Sequence, residues 1–303
     1  MNKYFWTPLL NILGIILAVV LVYYIGRPWG SVSTPINSHA ISEFQETAHA
    51  REILSPSTFY LKMDVYILSK NTVTNEETKH SCSQGIGTSF TVSEKGYFVT
   101  NKHVIDPKKA IDLCTEKTLS GENPPAWVKG KTRFDVEYSL TDSKDHSFPV
   151  SVFSIVPDMD MAVLKVDQTK IDSTTSLPDK FVPVEFRSAS PNIINGFVIS
   201  GKGPYVLPDE PIITMGCPLY LPFTLTRGIL GFNTFMSGRT NYIHMIIPIN
   251  SGNSGGPVVS LLDFKVLGMT TLSKEDSNGG ITQQSGMISS RSIESALKKI
   301  SME

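Results

Sequence analysis

Residues 249–259 read INSGNSGGPVV, where two serines and two asparagines sit among three glycines between apolar runs. That composition suits an ordinary surface turn, since glycine supplies positive φ and serine satisfies local backbone groups. It equally suits nucleophilic catalysis: small neighbours clear the space around one hydroxyl, that of Ser254, and leave backbone N–H groups to face whatever it attacks. A nucleophilic serine needs a base, and chain order restricts the choice. The G-x-S-x-G pattern alone points to an α/β-hydrolase elbow, whose triad runs Ser, acid, His. All six histidines, His39, His49, His80, His103, His146 and His244, precede Ser254, so that order fails and the order His, Asp, Ser is left.

Among the histidines, His39 and His49 fall in a spacer and the helix after it. His80 and His146 sit in polar stretches where a solvated imidazole is ordinary, and His244 lies inside an apolar strand pattern that suits a core residue. His103 ends the strand-like GYFVTNKHVI behind the small polar residues Thr100 and Asn101, which leaves its ring free to face a cleft. In VPDMDMAVLKV, Asp160 stands directly before the apolar run 161–164 that would bury it, whereas Asp158 reads as a loop-surface residue. An aspartate at a strand start is more commonly a turn residue, so it gains meaning only in company.

The elements that must hold these residues are short. From Phe59 onward β-rich runs alternate with Gly, Pro, Asn and Asp: FYLKMDVYIL, GTSFTVS, GYFVTNKHVI, FPVSVFSIV, MAVLKV, GFVIS, PIITMG, GILGF, YIHMIIPI, GPVVSLL and KVLGMTTL. Many short strands without amphipathic helices between them predict an all-β antiparallel barrel or sandwich. Two polar segments, roughly 106–148 and 167–195, read as loops or insertions. A short helix is expected over about 42–54, opened by a Ser42/Gln45 capping box, and a terminal helix over 291–300 with Ile293, Ala296, Leu297 and Ile300 on one face.

With 303 residues, 41% hydrophobic and 18% charged, the chain can bury a sizeable core, and its net charge of −1 gives no basic face for nucleic acid. Cys82, Cys114 and Cys217 show no CxxC spacing, nor is there an HExxH, so no metal and no cofactor is expected. Three cysteines leave room for one bridge, with Cys82–Cys114 the candidate, or for free buried thiols. Residues 5–24 form an uncharged apolar run of about twenty residues, enough to cross about 30 Å of hydrocarbon. Aromatic residues flank both ends, and a membrane anchor with the amino terminus in the cytoplasm is favoured over a cleaved signal peptide. The expected organisation is a stub and transmembrane anchor at 1–26, a linker with a short helix at 27–55 and one domain at 56–303.

TNKHV, DMAVLKV and GNSGGP, in that order, resemble the three signature segments of trypsin-like serine proteases, and of the HtrA/DegP-like branch in particular. The flanks agree: GIGTSFTVSEKGYFVTNKHVI, PIITMGCPLYLPFTLTRGILG, and KVLGMTTL followed by SGMISSRSI resemble that branch around its histidine, before its serine loop and at its closing strands and helix. The resemblance covers about 56–300 and implies two six-stranded antiparallel β-barrels, the first carrying His103 and Asp160 and the second Ser254. It further implies an oxyanion hole from the N–H groups of Gly252 and Ser254, and a primary pocket lined by Pro248, Ile249, Met269, Thr270 and Thr271. That uncharged pocket implies cleavage after small or medium apolar residues. The implied activity is serine endopeptidase on polypeptide substrates, degrading or processing exported proteins at the periplasmic face of a bacterial inner membrane, with homo-oligomers possible in this branch. A catalytically idle binding or chaperone module on the same fold is the alternative. The sequence departs from the pattern in placing Ser251 where proline is usual, and in having only a helix and three residues after the closing strands, where a PDZ domain is common.

Overall fold

The computed structural model describes residues 38–70, 76–119, 133–187, 193–194, 197–198, 206–218, 221–237, 239–273, 284–300 and 302. The apolar run at 5–24 lies outside them; among the described residues no helix is long and apolar enough to cross a membrane. The chain divides into two compact units, Met1–Gln45 and Glu46–Glu303. Of the first, only the opening turns of helix α1 (Ser38–Leu54) are described; the helix starts one turn before the Ser42 expected to cap it.

The second unit holds two closed antiparallel barrels. Strands β1 (Thr58–Lys70), β2 (Glu77–Ser93), β3 (Tyr97–Thr100), β4 (Arg133–Thr141), β5 (Ser147–Ile155) and β6 (Ala162–Val166) close in the order β1-β2-β3-β6-β5-β4. After the two-stranded ribbon β7 (Ile193–Ile194) and β8 (Phe197–Val198), strands β9 (Pro211–Gly216), β10 (Thr224–Ser237), β11 (Thr240–Ile246), β12 (Pro257–Ser260), β13 (Val266–Ser273) and β14 (Gln284–Ser289) close as β10-β11-β14-β13-β12-β9. Closure leaves neither barrel a free edge, which is how so many short strands stay paired. The segment 106–148, expected as a loop, instead contains helix α2 (Lys108–Leu119), β4 and the start of β5. The terminal helix α3 (Ser290–Lys299) forms as expected, with the Ser289 hydroxyl accepting from the Ser292 N–H at its start.

Alternation along the strands builds the cores. Phe59 and Leu61 of β1, Phe98 of β3 and Phe148 of β5 fill the first barrel, with Phe59 and Phe98 edge to face at 5.0 Å and Phe181 from the polar segment 5.3 Å from Phe98. Ile212, Leu230, Met245, Val258 and Leu267 fill the second. Between the barrels, Phe90, Val99, Met161 and Val163 of the first meet Tyr242, Met269 and Ile288 of the second, and Ile293 and Leu297 of α3 complete that layer. Burial of this apolar seam fixes the two barrels against each other and so positions whatever faces across it.

Two further ties matter. Cys82 of β2 is disulfide-bonded to Cys114 of α2, and Cys217 is free and buried. The buried Arg187 guanidinium donates to Glu210 at 2.7 Å and 3.2 Å and to Asp263 at 2.7 Å and 2.8 Å, while the Ser260 hydroxyl also donates to Glu210. This network fastens the crossover segment to the second barrel, where Phe186 bridges to Val266.

Candidate active site

His103 is not the end of a strand: β3 stops at Thr100 and the chain coils into a 3-10 turn over Lys102–Val104. Val104, buried, draws the turn onto the first core, and the His103 side chain on the opposite side is 47% exposed. Asp160 comes just before β6, and its carboxylate faces that turn. Its Oδ2 lies 2.8 Å from His103 Nδ1, and its Oδ1 accepts the His103 backbone N–H at 3.0 Å. Thr271 of β13 donates its hydroxyl to Oδ2 at 3.3 Å, Asn101 Nδ2 donates to the Asp160 carbonyl at 3.0 Å, and the Asp160 N–H donates to the Thr240 hydroxyl at 2.9 Å. Burial pushes this carboxyl up, but the hydrogen bonds and charge of His103, with the Thr271 hydroxyl, outweigh it and hold the group below its usual 3.8. Asp158 is at the surface, paired with Arg239 at 2.6 Å.

A His–Asp contact by itself does not make a site. His146 Nδ1 lies 2.7 Å from Asp142 Oδ2 in the β4–β5 turn, and His80, on β2 rather than in a loop, bonds the Ser69 hydroxyl at 2.9 Å. Neither lines the cleft that holds Ser254.

Ser254, 5% exposed, sits on the turn between β11 and β12. Gly252 and Gly255 there have φ of +102° and +90°, the left-handed region that glycine tolerates. A side chain at Gly252 would strike the Cys217 carbonyl, and one at Gly255 the Thr88 carbonyl and Thr100 hydroxyl. The turn is bonded on both sides. The Gly255 N–H donates to the Thr270 carbonyl at 2.9 Å, and the Thr270 N–H to the Gly256 carbonyl at 2.7 Å. From the first barrel, the Thr88 N–H donates to the Ser254 carbonyl at 2.9 Å and the Thr88 hydroxyl to the Gly252 carbonyl at 2.7 Å. The same hydroxyl accepts the Cys217 N–H at 3.0 Å, and the Thr88 carbonyl accepts the Thr100 hydroxyl at 2.7 Å. Thr88 is fully buried and belongs to none of the three motifs; it ties the serine turn of one barrel to the strand that leads into His103 on the other.

The cleft beside these residues, about 370 Å³, is lined by His103, Ser251, Gly252 and Ser254 on one side and by β1, β2 and α2 on the other. None of the five expected pocket residues lines it. Met269 packs in the layer between the barrels and Ile249 in the second core; Pro248 is exposed. The Thr270 hydroxyl bonds that of Thr214 at 2.9 Å, and Thr271 supports Asp160.

A family model described as a trypsin-like peptidase domain matches residues 87–269. Among curated proteins, the chain is 28% identical to serine protease HTRA4 of Mus musculus over 229 residues, 73% of this chain and 35% of that protein. It is 25% identical to serine endoprotease DegS of Escherichia coli K12 over 278 residues, 90% of this chain and 62% of that one. The chain thus spans between about a third and three-fifths of these relatives. A solved structure of the HtrA-type protease AlgW, a variant with tripeptide, superposes with a TM-score of 0.51 at 18% identity, covering 84% of this chain and 62% of that one, which is a likeness of fold.

Proposed function

Because the chain belongs to the trypsin-like peptidase family, we propose that it is an HtrA-like serine endopeptidase, with Ser254 as nucleophile, His103 as base and Asp160 as the group that orients the base. The single observation that carries this reading is the 2.8 Å contact of His103 with a half-buried carboxylate, at the mouth of a cleft that also holds the serine on its glycine turn. In the proposed reaction the Ser254 hydroxyl attacks the peptide carbonyl while His103 Nε2 takes its proton. The proton then passes to the leaving amine, and water repeats the cycle on the acyl-enzyme. Asp160, ionised, keeps the ring proton on Nδ1 and stabilises the imidazolium that forms. The N–H groups of Gly252 and Ser254 receive the developing oxyanion, each such donor worth roughly 3 to 4 kcal/mol of barrier.

The protease acts on exported polypeptides from the extracytoplasmic side of a membrane. The apolar run at 5–24 supports an anchor, and the Cys82–Cys114 bridge suits an oxidising compartment. Carbonate extraction tests the anchor: an integral chain stays with the membrane. For the chemistry, Ser254→Ala is expected to abolish fluorophosphonate labelling and to lower casein cleavage by on the order of a million-fold. Unchanged turnover by that variant would sink the proposal.

A further inference from the structure

Helix α2 interrupts the first barrel immediately after His103 and is held by more than its own turns. Asp106 accepts the Lys108 N–H at 3.0 Å at its start, Ala110 and Cys114 pack on Met63, Val65 and Ile67 of β1, and the disulfide bolts its middle to β2. One helical face is thereby committed inward. Lys109 and Leu113, one turn apart, are left to face the cleft together with Ala110, and Leu113 is 40% exposed. Met63 and Ile86 continue the same wall towards Ser254.

The direction of the substrate follows from the proposed chemistry, on which this inference rests. With the carbonyl carbon at Ser254 Oγ and its oxygen towards the Gly252 and Ser254 N–H groups, the leaving nitrogen must lie beside His103. The chain that departs therefore runs past the residues following His103, which are those of α2, while the acyl half lies along the second barrel. We infer that α2 forms a subsite on the leaving-group side, in which Leu113, Ala110, Met63 and Ile86 select a large apolar residue directly after the scissile bond. An apolar wall beside a water-exposed mouth gains free energy by covering it, and a side chain that reaches it does so in the transition state as well as in the bound substrate. A glycyl residue in that position forgoes the contact, and an acidic one exchanges it for the Lys109 ammonium, whose charge Asp106 of the same lining opposes.

The test uses a casein site mapped by mass spectrometry, rebuilt as quenched fluorescent peptides that differ only in the residue after the cut: Leu, Phe, Gly or Asp. For the purified protein kcat/KM is expected to be about tenfold higher for Leu and Phe than for Gly and Asp. Leu113→Ser, at a position 40% exposed, is expected to shrink the Leu-to-Gly ratio to about two. A second variant, Ile86→Ala, is expected to lower the same ratio. Equal rates for Leu and Gly in the unaltered protein overturn the inference, as does a variant that slows both peptides alike and leaves their ratio intact. Fluorophosphonate labelling of Ser254 runs alongside. Labelling without the preference rejects the subsite alone, and absence of labelling rejects the protease reading beneath it.

Discussion

The two barrels have the same strand count and opposite manners of holding their share of the site. The first presents His103 on a short turn, nearly half exposed, steadied by the Asp160 carboxylate, which is itself held by the Thr271 hydroxyl. The second presents Ser254 on a turn whose Gly252 and Ser254 carbonyls accept from Thr88 and whose Asn253, Gly255 and Gly256 N–H groups are bonded, with Asn253 and Gly255 on either side of the serine buried. A group that must take a proton and hand it on needs room to re-aim, whereas an anion site works by being already in place. The contrast also crosses over: Thr88 of the first barrel stiffens the serine turn, and Thr271 of the second steadies Asp160. Each barrel therefore keeps the other's proposed catalytic group in register.

The sharpest break in this comparison is Asp160→Asn, which retains the shape but removes the charge proposed to fix the ring tautomer. Turnover is expected to fall by roughly 10⁴-fold, measured as kcat on a quenched peptide under conditions where the variant remains folded. Next, Arg187→Leu strands Glu210 without its cation and should lower stability by about 3 to 5 kcal/mol in urea denaturation, an effect on the second barrel's frame that leaves the His103–Asp160 contact in place. Smaller again is Thr88→Val, which frees the Gly252 carbonyl: kcat is expected to drop on the order of 10²-fold with KM little changed, showing that the rigid half matters through position. The smallest effect concerns pH. Asp160 has a depressed folded value, so its stabilising contribution is present above the usual carboxylate range and is lost as pH falls through the folded value. Urea midpoints of the unaltered protein and of Asp160→Asn should therefore converge on acidification from pH 5; midpoints that move in parallel would contradict the assignment.

Much of this arrangement is legible in the sequence, and the exceptions share a cause. The barrel strands announce themselves because alternation and turn residues are local signals, and the order of His103, Asp160 and Ser254 follows from where the histidines stop. Helix α2 escapes because KKAIDLCTEKTL has a narrow apolar face, built from Ala110, Ile111 and Cys114, that a reader of composition takes for a loop. β4 carries the alternation Phe134, Val136, Tyr138 and Leu140 that marks a strand, but it stands inside a long polar stretch with charged residues between its apolar ones, and only Leu140 is fully enclosed. Thr88 and Thr271 carry no local mark at all: their worth lies in partners 164 and 111 residues away, which exist only once the barrels meet.

The split of the site between barrels also sets a clock during synthesis. Ser254 lies 94 residues beyond Asp160, so at about 5 to 20 residues per second the ribosome adds the proposed nucleophile some 5 to 20 s after the proposed base and its partner. On the proposed chemistry the half-made chain holds an imidazole with nothing to activate, and hydrolytic power waits for the second barrel to close.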